Sequence, residues 1–302
     1  MRIATMQSAD TGGQSYKIAK AINTYTEHEA RSFIKIKDYI NFPHDILFGE
    51  HDYEFVREYL LTTDIIHVHN KYRNLNGWAK LNPKARYVIH QHGRFPEGHL
   101  PQEFKDADRQ RGALRVVSTL NLLNYVEFDF NRWIPAPFDV DNLLKLKSTH
   151  NTENVLIAHS PTRRDYKNTD LLIKTVNRIQ GLELVLIEGK TNEESLRLKA
   201  MCDITFDQMH LCYGNSGLEA MCFKQAVIAA PTDSARILIN KYIDYEPYVY
   251  ATPDTLYNVL LKLTNDKEYR DKCANVSFNY VKKYHDFPVV ANKLINIYKS
   301  IL

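Results

Sequence analysis

The chain has 302 residues, 44% of them hydrophobic and 25% charged, which is ordinary for a globular protein and unlike disordered or fibrous sequences. At roughly 150 residues per domain this length predicts two domains, with enough apolar chain to form cores without disulfide or metal staples. Thirty-nine Lys and Arg against 36 Asp and Glu leave a net charge of +3, which permits an anionic ligand but does not describe a nucleic-acid-coating protein.

In chain order, short β-rich runs alternate with amphipathic stretches, the pattern of βαβ units around a mainly parallel sheet. Strands are predicted over 2–6, 30–36, 64–69, 85–90 and 114–118, and helices over 14–25, 53–61 and 102–108. Pro135 and Pro137 then hold the chain extended, which marks a crossing into a second domain. There the alternation restarts, with strands over 154–159, 183–188, 204–207 and 226–230. Helices are predicted over 168–179, 192–201, 216–222, 255–264, 268–284 and 288–301. The predicted divisions are an N-terminal domain over 1–136, a C-terminal domain over 137–286 and a closing helix over 287–302.

No stretch reaches the roughly 18 to 20 apolar residues of a membrane helix, and the apolar start is too short for a signal peptide. Cys202, Cys212, Cys222 and Cys273 form no C-x-x-C pair, so neither a zinc ribbon nor a redox motif is written. A reduced, cytoplasmic setting is the expectation.

Glycine is scarce, with 11 residues, and five of them fall in three loops: Gly12-Gly13, Gly93, and Gly214 with Gly217. A chain this sparing of glycine places it where the backbone needs a left-handed conformation or close approach. The richest stretch runs from Asp207-Gln208 through Tyr213-Gly214-Asn215-Ser216-Gly217 to Glu219 and reads strand, glycine loop, helix. Helix-opening N–H groups there form an anion site suited to a diphosphate, and Glu219 is placed to accept from ribose hydroxyls. The alternative is a capped helix with an exposed Glu219.

This stretch, with Leu218, Glu219-Ala220-Met221 and Val227-Ile228, resembles the signature of GT4-type glycosyltransferases of the GT-B fold. The resemblance implies an α/β fold of two Rossmann-like domains facing across a cleft, with the last helix crossing back onto the first domain. It implies sugar transfer from a nucleoside-diphosphate sugar, UDP-sugar by default, to an acceptor hydroxyl, with retention. No cofactor and no metal are expected. In that family Glu219 would meet the nucleotide ribose, while a second glutamate stands eight residues earlier; here that position is Leu211, which cannot accept a hydrogen bond from a donor sugar.

The segment His159-Ser160-Pro161-Thr162-Arg163-Arg164-Asp165-Tyr166-Lys167-Asn168 is similar to the family's diphosphate-binding turn, which implies Arg164 and Lys167 as the cations that stabilise the leaving group, with Arg163 in reserve. The alternative is a solvated basic turn. The family often has Gly where Asn168 stands. Gly12 and Gly13 match its N-terminal glycine loop, flanked by Asp10 and Gln14 as acceptor-side candidates.

His67-Val68-His69 and His90-Gln91-His92 lie at strand ends, where i and i+2 share a face. Three readings are open for them: a metal site, plain structure, or His92 at the active site with Arg94 on the acceptor side. Asp139-Val140-Asp141 is assigned to helix capping instead of metal binding. Apolar Val289, Leu294, Ile297 and Ile301 suit packing of the closing helix. Rival functions are a nucleotide-sugar 2-epimerase and a non-catalytic sugar or nucleic-acid binder. The acceptor, to be met by loops over 44–55 and 95–108, is a glycan, a lipid-linked glycan or modified nucleic acid.

Overall fold

The computed structural model describes residues 1–9, 12–49, 53–70, 81–93, 112–125, 132–209 and 212–302. They form two compact units: Met1–Pro137 with Phe287–Leu302, and Phe138–Asp286.

The first unit carries β1 (Arg2–Ala9), α1 (Gln14–Tyr25), β2 (Glu29–Ile36), β3 (Ile46–Leu47), α2 (Tyr53–Leu61), β4 (Ile65–His69), β5 (Arg86–Gln91), β6 (Leu114–Val117) and β7 (Arg132–Trp133). The parallel sheet is ordered β3-β2-β1-β4-β5-β6-β7, so strand order reverses between β1 and β4. Its strands are buried on both faces, as parallel strands between helical layers must be. Ile3, Ile65, Val88 and Val116 pack with Ile18 and Ile22 of α1 on one face. Ala4, Met6, Ile66 and Val68 pack with Val56 and Leu60 of α2 on the other.

The second unit carries α3 (Val140–Leu144), β8 (Val155–His159), α4 (Thr169–Val176), β9 (Leu182–Leu186), α5 (Asn192–Ala200), β10 (Ile204–Gln208), α6 (Asn215–Cys222), β11 (Ala226–Ala229), α7 (Asp233–Ile243), β12 (Val249–Tyr250), α8 (Leu256–Asn265) and α9 (Lys267–Tyr284). The sheet order is β12-β11-β10-β8-β9, with the reversal between β8 and β10. Its main core joins Ile157, Ile204, Phe206 and Ile228 to Leu172 of α4 and Leu260 of α8.

Where the chain enters and leaves this unit, Phe138 and Asp286 form a β-bridge. The Phe138 N–H donates to the His285 carbonyl at 2.8 Å, and the Val140 N–H to Asp286 Oδ1 at 3.3 Å. Asp286 thus serves the start of α3. Asp139 holds the N-cap position as expected, yet its carboxylate makes no capping bond and accepts from Asn142 Nδ2 at 2.8 Å.

The closing helix α10 (Phe287–Lys299) belongs to the first unit and places Val290, Leu294, Ile297 and Tyr298 in its core. One residue of the expected stripe is corrected: Val289 is 39% exposed, and Val290 takes the buried position. The helix predicted over 102–108 lies outside the described residues.

Candidate functional site

In a doubly wound sheet, ligands bind beyond the carboxyl ends of strands where the order reverses. In the second unit that point lies between β8 and β10, and the two loops flanking it carry most of the residues singled out above.

The turn after β8 coils back on itself, with the Lys167 N–H on the Arg163 carbonyl at 3.1 Å and the Thr169 N–H on that of Arg164 at 3.2 Å. Asn168 then holds the N-cap position of α4 in the left-handed region, φ 52°, without a side-chain capping bond. Only glycine adopts this conformation without penalty, and Asn is among the few residues that tolerate it, which accounts for Asn in place of the family's Gly. His159 anchors the turn from below. Its Nδ1 donates to the Phe206 carbonyl, so Nε2 accepts from Thr169 Oγ1, both at 2.9 Å. Burial lowers its pKa to about 4 and keeps the ring neutral.

Lys167 reaches across the strand reversal to Asp207 at the end of β10, Nζ to Oδ1 at 3.0 Å. The other Asp207 oxygen accepts the Gly214 N–H at 2.5 Å. This buried carboxylate explains Gly217. A Cβ on Gly217 would lie 3.0 Å from Asp207 Oδ2, and one on Gly214 would lie 3.4 Å from Lys167 Nζ. The close approach that glycine permits here is to Asp207. Asp207 therefore fixes the turn and the Lys167 ammonium instead of presenting a free carboxylate. An ammonium has three donors, so Lys167 keeps two beyond Asp207. Gly214 opens α6 with no side-chain cap, which leaves first-turn N–H groups of Asn215, Ser216 and Gly217 at the same end of the sheet.

Arg164 forks onto Glu188, just past β9, with 2.7 and 2.5 Å bonds. Arg163 pairs with Asp165 at 2.6 Å and lies over the Tyr166 ring. Both guanidiniums are exposed, so their ion pairs are readily exchanged. Gln208 Nε2 donates to the Cys212 carbonyl and closes the loop.

Two expected donor contacts turn inward. Tyr213 is 4% exposed and shares a hydroxyl–hydroxyl bond with Tyr280, which also bonds His285 Nε2 at 2.8 Å. Glu219 is 6% exposed, so the exposed-glutamate reading fails. Its Oε2 accepts from Lys199 Nζ at 2.7 Å, and the same ammonium reaches Ser216 Oγ at 3.0 Å. Ser216 Oγ in turn meets Ser160 Oγ at 2.6 Å, joining the two loops. Lys199 and Glu188 escaped the sequence reading because each pairs with a residue 20 or more positions away and follows no motif.

In the first unit, Gly13 starts α1 from the left-handed region at φ 65°, and a Cβ there would meet Phe42 at 2.8 Å. The Gly12 carbonyl accepts from Gln14 Nε2 and Lys17 Nζ, each at 3.2 Å. Gln14 is buried, which does not suit an acceptor-facing side chain. His92 follows β5, its N–H on Asn70 Oδ1 at 2.9 Å and its Nε2 at 2.7 Å from His69 Nδ1. Burial lowers the His92 pKa to about 3. Asp10, Arg94 and Leu211 lie outside the described residues.

No known protein-family profile matches the sequence, and no curated protein matches it. Solved structures do. HepE of Anabaena, in complex with UDP and glucose, superposes with a TM-score of 0.72 at 14% identity, over 99% of this chain and 100% of that one. A glycosyltransferase from Rickettsia africae ESF-5 follows at 0.70 and 12% identity, over 99% and 98%. A putative UDP-N-acetylglucosamine 2-epimerase from Listeria monocytogenes gives 0.61 and 15%, over 99% and 95%. The two parallel-sheet α/β units of this chain have the fold of the GT-B glycosyltransferases.

Proposed function

We propose that the protein transfers a sugar from a nucleoside-diphosphate sugar to an acceptor hydroxyl. The carrying observation is that Asp207 holds both the Lys167 ammonium and the opening of α6 at the strand reversal of the second unit. A diphosphate there would take charge-assisted bonds from Lys167 and backbone bonds from the first turn of α6. Arg164 would join by exchanging Glu188 for phosphate, a cheap swap for an exposed pair. Glu219, with one oxygen on Lys199, would offer the other to the ribose. Asn215 and Ser216 would flank the phosphates.

The bond from the anomeric carbon to the diphosphate oxygen breaks, one from that carbon to the acceptor oxygen forms with retained configuration, and the acceptor's hydroxyl proton passes to the departing diphosphate oxygen. The developing negative charge falls on fixed cations, so no divalent metal is needed at the diphosphate. His92, neutral at physiological pH, is the group we assign to catalysis in the first unit. UDP is the default nucleotide, and HepE is a neighbour solved with UDP. A hexose or pentose donor, a glycan, lipid-linked glycan or modified nucleic-acid acceptor, and a cytoplasmic location complete the proposal. Epimerisation remains a second reading because a putative 2-epimerase shares the fold.

Calorimetry with UDP checks the placement. The double variant Arg164→Ala, Lys167→Ala should lose about 1.5 to 3 kcal/mol per contact, and wild-type affinity in that variant would refute it. A nucleotide-release assay then separates the readings. A transferase releases nucleotide efficiently only with its acceptor, whereas an epimerase converts the donor sugar with none.

A further inference from the structure

The layer between the first sheet and α10 is apolar at Ile65, Val88, Val116 and Ile134, but at the carboxyl ends of β4 and β5 it turns to imidazole. His67, His69 and His90 are each 0% exposed. Residues two apart on a strand share a face, and His69 pairs with His90 in register, so all three rings enter one layer. His67 stacks on His69 with centroids 4.7 Å apart and planes 4° apart, and His90 stands 5.2 and 5.5 Å from the two.

Their hydrogen bonds are incomplete in a specific way. His67 Nδ1 meets Tyr298 Oη at 2.5 Å, and His69 Nδ1 meets His92 Nε2 at 2.7 Å. His90 Nδ1 lies 3.1 Å from His67 Nε2. With the proton on Nδ1 in each ring, every one of these contacts is a donation. The Nε2 atoms of His69 and His90 are then bare lone pairs, buried and without a partner. Leaving a buried acceptor unsatisfied is costly, and two in one layer require an explanation. The backbone of Ile134 approaches His90 as a weak hydrogen-bond partner, in a geometry that leaves Nε2 unsatisfied.

We propose that His67, His69 and His90 form a buried three-imidazole site for a divalent transition metal ion, with zinc the best fit, and that Tyr298 and His92 orient the ligand rings. Ligand nitrogens of the three rings lie within 4.8 Å of one another. Bonds of about 2.0 to 2.1 Å in a tetrahedron put ligating nitrogens about 3.3 Å apart, so ring rotation must close the widest gap by about 1.5 Å. Neutral imidazole suits zinc, copper or nickel, whereas calcium and magnesium demand oxygen ligands that this group lacks. A ligand ring whose second nitrogen is engaged is the usual outer arrangement of such sites: His69 has it as it stands, and His67 has it once the ion replaces the His90 Nδ1–H at His67 Nε2. The ion would clip β4 to β5 and, through Tyr298, to α10. This role does not depend on the proposed sugar transfer, with which it shares His92 alone.

The test uses the full chain, free of any histidine tag, stripped with chelator and titrated with Zn²⁺ and Co²⁺. One ion per chain is expected, with a tetrahedral ligand-field spectrum for Co²⁺ and a higher melting temperature. His69→Gln and His90→Gln should each abolish the stoichiometric binding while circular dichroism stays that of the wild type. Absence of stoichiometric uptake, or full uptake by either variant, would overturn the site. If the variants do not fold, X-ray absorption of the wild-type zinc complex decides: three imidazole ligands support the site, and fewer overturn it.

Discussion

Lys199 and Glu219 provide the sharpest energetic test of the second unit. Their side chains are 1% and 8% exposed, and Nζ stands 2.7 Å from Oε2. Lys199→Met removes the ammonium, keeps the volume and strands a buried carboxylate, which costs about 3 to 5 kcal/mol for a broken buried pair. Glu219→Met strands the ammonium, whose remaining contacts are with Ser216, and should cost a similar amount. The double variant replaces both charges by apolar chain, so it should recover most of the loss and give a coupling of several kcal/mol in the cycle. The probe must belong to the right unit. Trp133 lies in the first unit and Trp78, the other tryptophan, precedes it in sequence, so tryptophan fluorescence is blind to the pair. Amide hydrogen exchange of peptides from α6 and β11 at increasing urea reads it directly. Single variants losing less than about 1 kcal/mol, or a double variant losing the sum of the singles, would refute the buried ion pair.

Three further outcomes follow. The His159 ring is held near pKa 4 against an ordinary 6.5, so the unfolded chain binds the extra proton first; stability of the second unit is full above about pH 6.5 and falls by about 3 kcal/mol by pH 4. Exchange measured across that range should show a shallower slope in His159→Gln, and an unchanged slope would contradict the assignment. Leu211→Glu should reorder activity among hexose and pentose donors in a donor panel, because unpaired polar groups at a binding site are strongly penalised; a uniform loss across donors would make that position irrelevant to specificity. Added Mg²⁺ or Mn²⁺ should leave turnover unchanged if Lys167 and Arg164 supply the charge as proposed, and strong activation by either ion would argue against that division of labour.

The long parallel strands were legible because β-branched and apolar runs such as those of β4 and β8 mark doubly buried strands. The two-residue strands at Ile46–Leu47, Arg132–Trp133 and Val249–Tyr250 are too short to carry a period, and pairing in the sheet alone defines them. α7 was missed although Thr232 caps it, accepting from the Ala235 N–H. At the site, Lys167 and the glycine loop stood out, but Asp207, which opens the same stretch, carried no sign of being their common partner. Nothing local states that a carboxylate folds inward against two glycines. The same limit hid the partners of Glu219 and Arg164. The error at Val289 has a simpler origin: a helical stripe read without its cap leaves the buried face uncertain by one position.

The crossing at Phe138 and Asp286 has a consequence for the order in which the molecule is made. The second unit is one uninterrupted segment whose ends are tied together, so its core draws on no residue outside Phe138–Asp286. The first unit starts earlier but needs Val290, Leu294 and Tyr298 to close its core. The first unit therefore cannot finish folding in the usual N-terminal-first order. The N-terminal sheet keeps part of one apolar face uncovered until α10 is made, by which time the whole second unit has been translated.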